Sequence, residues 1–186
     1  MLNNRNFDAS RTNWVGLWTL FSKETSRFLK VFYQTVLAPV VTNILFLTVF
    51  LIVIDREDFI IGGVSYPEFL VPGLVMMQIL QNAFMNTTST IMISKVQGNI
   101  VDILLPPLSS LELTLAISFG GVARGMIVGL ASTIALYFFI DMKFVNFFYI
   151  IFFSLSGSLA LSLLGIMGGI WSEKFVHMAG LTAFII

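Results

Sequence analysis

Long apolar runs alternate with short polar breaks along this chain, and the length of the runs sets the architecture. About 20 consecutive apolar residues cross ~30 Å of hydrocarbon as a helix. On that measure spans are expected over residues 35–54, 69–93, 113–140 and 145–171. A fifth run begins near Phe175 and reaches Ile186. At roughly a dozen residues it is shorter than a span requires, so a fragment or a truncated product is expected. Ahead of the first span, Trp14, Leu17, Trp18, Phe21, Phe28, Leu29 and Phe32 recur at helical spacing, with Lys23, Glu24, Arg27 and Lys30 largely on the opposite side. That pattern predicts an amphipathic helix over 14–32 in the membrane interface, where two Trp rings suit the headgroup zone, or one packed on the protein's own cytoplasmic loops. The fold class is therefore an all-α polytopic transmembrane helix bundle with an N-terminal amphipathic interface helix. We read residues 1–186 as one domain.

Within the spans the polar residues are patterned. Gln78, Asn82, Asn86 and Ser89 fall on one face of the second span, among Gln81, Thr87, Thr88 and Thr90. Amides facing lipid are costly, so this stripe must meet protein or water. It can line a route for a polar or amphiphilic substrate, or make interhelical hydrogen bonds worth ~1 kcal/mol each. In the third span Gly121, Gly125 and Gly129 repeat every fourth residue and predict close approach of a neighbouring helix. Arg124 sits among them, the lone charge within a span, about 11 residues or ~16 Å of helix from the cytoplasmic end. A guanidinium there costs at least ~2.5 kcal/mol. It needs backbone carbonyls, the Gln/Asn stripe, a snorkelling route, or an anionic substrate or lipid. In the fourth span Ser154, Ser158 and Ser162, beside Gly157, Gly165 and Gly169, describe another packing surface.

Between the second and third spans lies the polar insert SKVQGNIVDILLPPLSSLEL, 94–113. With Ser94 as N-cap, Val96, Ile100, Ile103 and Leu104 share one helical face against the polar Lys95, Gln97, Asn99 and Asp102. Pro106 and Pro107 then end the helix. Ser109 and Glu112 have the spacing of a capping box for the start of the third span. The expected element is a short helix held crosswise by a rigid elbow, able to transmit a push, or else a plain connection.

Composition agrees with the pattern. Hydrophobic residues make up 57% of the chain and charged residues 11%, with a mean hydropathy of +0.93, which places the protein in a membrane. The formal net charge of +0 gives no field for nucleic acid, and the absence of cysteine excludes disulfides and thiolate chemistry. No cleavable signal pattern opens the chain. Arg5, Arg11, Lys23, Arg27 and Lys30 precede the first span, whereas Asp55, Glu57, Asp58 and Glu68 follow it against the single Arg56. The positive-inside rule puts the N-terminus in the cytoplasm. Threading from there leaves the 94–112 insert inside.

The insert has the form K-x-x-G-x-I-x-x-L-L-x-x-P, and with FSKETSRFLKVFYQTVLAPVVT, YPEFLVPGLVMM and GGVARGMIVG around it the chain resembles, across essentially its full length, the permease subunits of type 2 ABC exporters. The likeness is to bacterial inner-membrane permeases of the multidrug and polysaccharide export kind. The resemblance implies a six-span permease working as a dimer, multi-pass in the inner membrane, surrounded by lipid. It also implies that each copy seats its cytoplasmic helix in a separate ABC ATP-binding subunit, with Lys95, Gly98, Ile100, Asp102, Leu104, Leu105 and Pro107 in the coupling role. Gln78, Asn82, Asn86 and Arg124 are then candidates for the substrate pathway, and Gly121, Gly125 and Gly129 for helix packing or the dimer contact.

No G-x-x-x-x-G-K-[ST] phosphate loop occurs in the chain, so ATP and its magnesium fall to the partner and this chain binds no cofactor of its own. An intramembrane enzyme would need a nucleophile and base or a ligand set, and the only histidine, His177, opens the cut-off run. The alternative to an exporter subunit is a passive channel or membrane scaffold, with the polar stripe lining the pore.

Overall fold

A computed structural model describes residues 13–53, 60–61, 63–140 and 146–172, together with positions 176, 180 and 183. Most of the fifth run, His177 included, and the charged loop residues Asp55, Arg56, Glu57 and Asp58 lie outside that set. The chain forms helix α1 (Trp14–Lys30), a π-helical turn (Tyr33–Leu37) running into α2 (Ala38–Val53), a two-stranded ribbon of β1 (Ile60–Ile61) and β2 (Val64–Ser65), and then four helices. These are α3 (Tyr66–Val96), α4 (Ile100–Leu104), α5 (Ser110–Tyr137) and α6 (Phe147–Trp171). The four spans read from hydropathy correspond to α2 with its π turn, α3, α5 and α6, with ends displaced by a few residues.

Local chemistry accounts for the boundaries. Pro39 has no N–H to donate and its ring crowds the carbonyl one turn earlier, and the wider π turn falls just ahead of it. At the antiparallel ribbon Gly63 takes φ +87°, the left-handed region that glycine enters without a Cβ penalty. Asn13 caps α1 by accepting from the Gly16 N–H, and Asn146 caps α6 through the Phe148 N–H. The capping box at Ser109 is present: the Ser109 side chain accepts from the Glu112 N–H while the Glu112 carboxylate accepts from Ser109 N at 2.7 Å. It starts α5 at Ser110, ahead of the first apolar residue counted from hydropathy.

Among the described residues three helical segments, Tyr33–Ile52, Ser110–Tyr137 and Phe147–Trp171, are long and apolar enough to cross a membrane by length and composition. Helix α3 has 31 residues, about 46 Å at 1.5 Å per residue, but is more polar. The reason is its position. Helices α5 and α6 pack along it, and Gln78, Asn82, Asn86, Thr87, Thr88 and Thr90 are all buried, so its amides and hydroxyls meet protein rather than lipid. Exposed positions are instead the bulky apolar ones of the outer helices, among them Val41, Leu45 and Val49 of α2 and the apolar, aromatic-rich run 147–153 of α6.

Close packing around α3 is built on glycine. A Cβ on Gly125 would lie 2.6 Å from the Ile79 carbonyl oxygen, and one on Gly165 would lie 2.2 Å from Thr87 Oγ1 and 2.6 Å from Phe84 O. Gly121 and Gly129 press on the same helix, against Ala83, Thr87 and Ile79. The third-span glycines are therefore covered within one chain and do not offer a free surface for a second copy.

Candidate functional site

The insert between α3 and α5 differs from the single helix read from sequence. Ser94 is not an N-cap: α3 runs on to Val96, and the Ser94 hydroxyl donates back to Thr90 O at 2.8 Å. Val96 accordingly belongs to α3. The break comes at Gly98, whose φ of +73° continues no helix, and α4 begins after Asn99 with five residues. Ile103 is buried and Ile100 is half-buried against the cluster of Leu20, Ile91, Ala116, Ile117 and Ile166. Leu104 and Leu105, by contrast, are 63% and 72% exposed, beside exposed Val101 and Asp102. The insert therefore plants one side chain in the bundle and holds an apolar edge outward.

Its flanks are tied to three helices. The Lys95 ammonium donates to the carbonyl oxygens of Gly169 (2.9 Å), Ile170 and Ser172 (3.1 Å), the last turn of α6, where a cation meets both unpaired carbonyls and the negative end of the helix dipole. On the other side the Glu112 carboxylate accepts from the backbone N–H of Asn13 as well as from Ser109, and Leu108 lies against Gly16. The beginning of α1 is thus fastened to the elbow after Pro107. Lys95 thus bonds the segment ahead of α4 to α6, and Glu112 bonds the segment after it to α1 and α5.

Helix α1 also departs from expectation. It advances along α5 in the same direction, with Asn13 at Glu112, Leu20 beside Ala116 and Ile117, and Glu24 at Gly120. Trp14 and Trp18 remain exposed. Glu24 and Arg27, assigned to the outer polar side, turn inward. Glu24 is 2% exposed and pairs with Arg27 at 3.1 Å. Arg27 Nη2 donates to Asn86 O and Oδ1, each at 3.3 Å, and to the Thr90 hydroxyl, which donates in turn to Glu24 Oε2 at 2.7 Å. The signal lay in the sequence as a spacing: Leu20, Glu24 and Phe28 form an i, i+4, i+8 line, and the mixed character of that line hid it among the apolar positions.

The rest of the polar stripe behaves differently. Asn82 Nδ2 donates to Gln78 O and Oε1 at 3.0 and 3.3 Å, within the same helix. Buried atoms without a partner include the amide nitrogens of Asn43 and Asn86 and Nε of Arg124. Arg124, 14 residues into α5, has neither a carboxylate nor a hydrogen-bonding partner among the described residues. Those residues also hold no group of three or more His, Cys, Asp or Glu suited to a metal.

The comparisons with known proteins agree with this geometry. The model of a family described as ABC-2 type transporter matches residues 15–186. The inner membrane transport permease YadH of Escherichia coli K12 is 30% identical over 173 residues, 93% of this chain and 68% of the relative. The same figures hold for YadH of Escherichia coli O157:H7 and of Shigella flexneri. No solved structure matches. A multi-pass helix bundle with this match along nearly its whole length is a transport permease of the bacterial inner membrane rather than an enzyme, and the chain belongs to the ABC-2 type transporter family.

Proposed function

We propose that this chain is the membrane-spanning permease subunit of an ATP-driven exporter, and that α4 with its flanks is where a separate ATP-binding subunit takes hold. The observation that carries this reading is the build of the insert. An apolar edge at Val101, Leu104 and Leu105 stands exposed, while both flanks are bonded to α1, α5 and α6. An exposed loop that only connects α3 to α5 needs neither the outward apolar edge nor the bracing. Asp102 and the Gly98 turn present the contact, Ile103 anchors it, and Lys95 and Glu112 pass its movement into the bundle. The α1 start and the insert lie at one end of the molecule, which fits a cytoplasmic N-terminus and a cytoplasmic insert together. The polar face of α3 at Gln78, Asn82 and Asn86 then borders the substrate route, and two copies complete the transporter. ATP and magnesium are handled by the partner.

The test is a mild-detergent purification from native membranes. An ABC-type ATPase is expected to come with the wild-type chain and to be lost from Asp102→Trp, an exposed position outside the bundle, and from Gly98→Trp, which also disturbs the turn. Retention of the ATPase together with normal transport in both variants overturns the assignment.

A further inference from the structure

Helix α1 is held to the bundle along one side only. Leu20, Glu24 and Phe28 are buried, and at about 100° per residue the positions turned away from them fall into two flanks. Trp14, Trp18 and Leu29 form one, 73%, 66% and 45% exposed, with the Phe21 ring 5.5 Å from that of Trp18. Lys23 and Lys30, both exposed and two turns apart, form the other, and Thr19, Ser22 and Ser26 lie between the flanks. The single acid of the helix, Glu24, is buried on Arg27, so the outer face carries cations and no carboxylate. Indole rings suit the edge of the hydrocarbon, and ammonium groups beside them suit phosphate headgroups. The same helix is fastened to the insert at its first turn. The Asn13 N–H donates to the Glu112 carboxylate, Asn13 Nδ2 donates to Pro107 O at 3.5 Å, and Leu108 lies against Gly16. Trp14 follows Asn13 directly, so the apolar flank begins at the elbow after α4.

We propose that the outer face of α1 is a docking surface for anionic phospholipid of the cytoplasmic leaflet, and that this contact steadies the elbow from which α4 projects. Lys23 and Lys30 meet the headgroups while Trp14 and Trp18 enter the acyl boundary beside them. Charge complementarity selects the lipid: a zwitterionic surface offers the indoles the same boundary but gives the lysines no net charge to meet, and each lysine held at an anionic surface raises the affinity about five-fold. An acidic soluble protein meets the lysines and leaves the indoles without hydrocarbon. The inference rests on the permease reading for its cytoplasmic orientation, and it adds a control on the site where the ATP-binding subunit is placed.

The test uses the full chain in phosphatidylcholine nanodiscs, in a Trp171→Phe background that leaves Trp14 and Trp18 as its only indoles. Phosphatidylglycerol or phosphatidylcholine brominated on the acyl chain is added at the same mole fraction, and quenching of tryptophan fluorescence reads which lipid gathers at α1. Brominated phosphatidylglycerol is expected to be enriched about five-fold or more, and high salt should reduce the difference. Lys23→Gln with Lys30→Gln, both exposed and outside the bundle, should bring the two lipids to parity without moving the melting temperature, and the paired Arg variants should keep the preference. Phosphatidylglycerol should also slow hydrogen exchange over residues 13–16 and 108–109 in wild type and not in the Gln pair. Equal quenching by the two lipids in wild type, an unchanged preference in the Gln pair, or no quenching by either lipid overturns the docking surface. A preference with no change in exchange overturns the link to the elbow. Recovery of the ATPase without lipid preference defeats this inference alone, and lipid preference without the ATPase defeats the permease reading alone.

Discussion

The two sides of α3 solve the same problem in opposite ways. Toward α5 and α6 its polar groups are closed on themselves or on a neighbour's backbone: Thr88 donates to Phe84 O or Gly165 O, Thr87 to Phe84 O, and glycines let the helices touch. Toward α1, Asn86 and Thr90 meet the charged Glu24 and Arg27, and the Asn86 amide nitrogen stays open. On the first side the threonine hydroxyls of α3 are closed and little free volume remains, so it is a scaffold. The second keeps a spare donor and a charge beside a helix fastened to the insert, so it is the side that can respond. Such groups are costly in a membrane unless something meets them.

The comparison breaks first at the scaffold. Gly165→Leu drives a side chain into Thr87 Oγ1 and the Phe84 carbonyl, and Thr87 has no room to yield because its methyl group faces Gly121. Overpacking of that kind is expected to cost roughly 3 kcal/mol, seen as loss of the monodisperse peak in mild detergent. Next comes the responsive side. Glu24→Gln keeps the shape and leaves Arg27 without a carboxylate. Because the Arg27 side chain is 34% exposed, the cost falls below that of a fully buried pair, to about 1–2 kcal/mol. A double-mutant cycle with Arg27→Gln in thermal unfolding should return a coupling of about 1 kcal/mol. No coupling would place α1 as a passive packing helix.

A smaller effect is expected where α3 leaves the scaffold. Lys95→Met removes the cation from the last carbonyls of α6, worth about 1 kcal/mol. Hydrogen exchange should rise over the final turn of α6 and not at its start. Lys95→Arg should restore part of the protection. Faster exchange in α1 instead would mean that the bracing runs through Glu112 alone.

How much of this was legible follows from what each signal encodes. The spans were readable because apolar length answers one condition, the thickness of hydrocarbon. The Ser109 capping box was readable because both partners sit three residues apart. Lys95 was picked out for its place in the insert, yet its partners on α6 lie more than seventy positions away, and no local pattern announces them. Glu24 and Arg27 were misplaced for a related reason. On an isolated helix a charged residue reads as solvent-facing, and only the presence of Asn86 and Thr90 across the interface makes the inward position affordable. The break at Gly98 was hidden because a helical pattern of apolar residues continues through it from Val96 to Leu104, and the pattern carries no information on backbone φ.

The smallest expected effect discriminates most sharply between the two sides. Ser118, Gly121, Gly125, Gly129 and Ser132 follow one another at i, i+3, i+7, i+11 and i+14, a single stripe of α5, and both serines are fully buried with hydroxyls that lack a partner. If this stripe is scaffold, an unpaired hydroxyl there is a cost, and Ser118→Ala removes it without opening a cavity larger than one oxygen. The change should leave the unfolding midpoint unaltered or raise it slightly, within about 0.5 kcal/mol. Asn86→Ala, on the other side, removes an acceptor that Arg27 uses and should destabilise by about 2 kcal/mol. Should Ser118→Ala instead cost as much as Asn86→Ala, the hydroxyl has a partner in the membrane-bound protein, and the responsive region extends through α5 to the face turned toward α3.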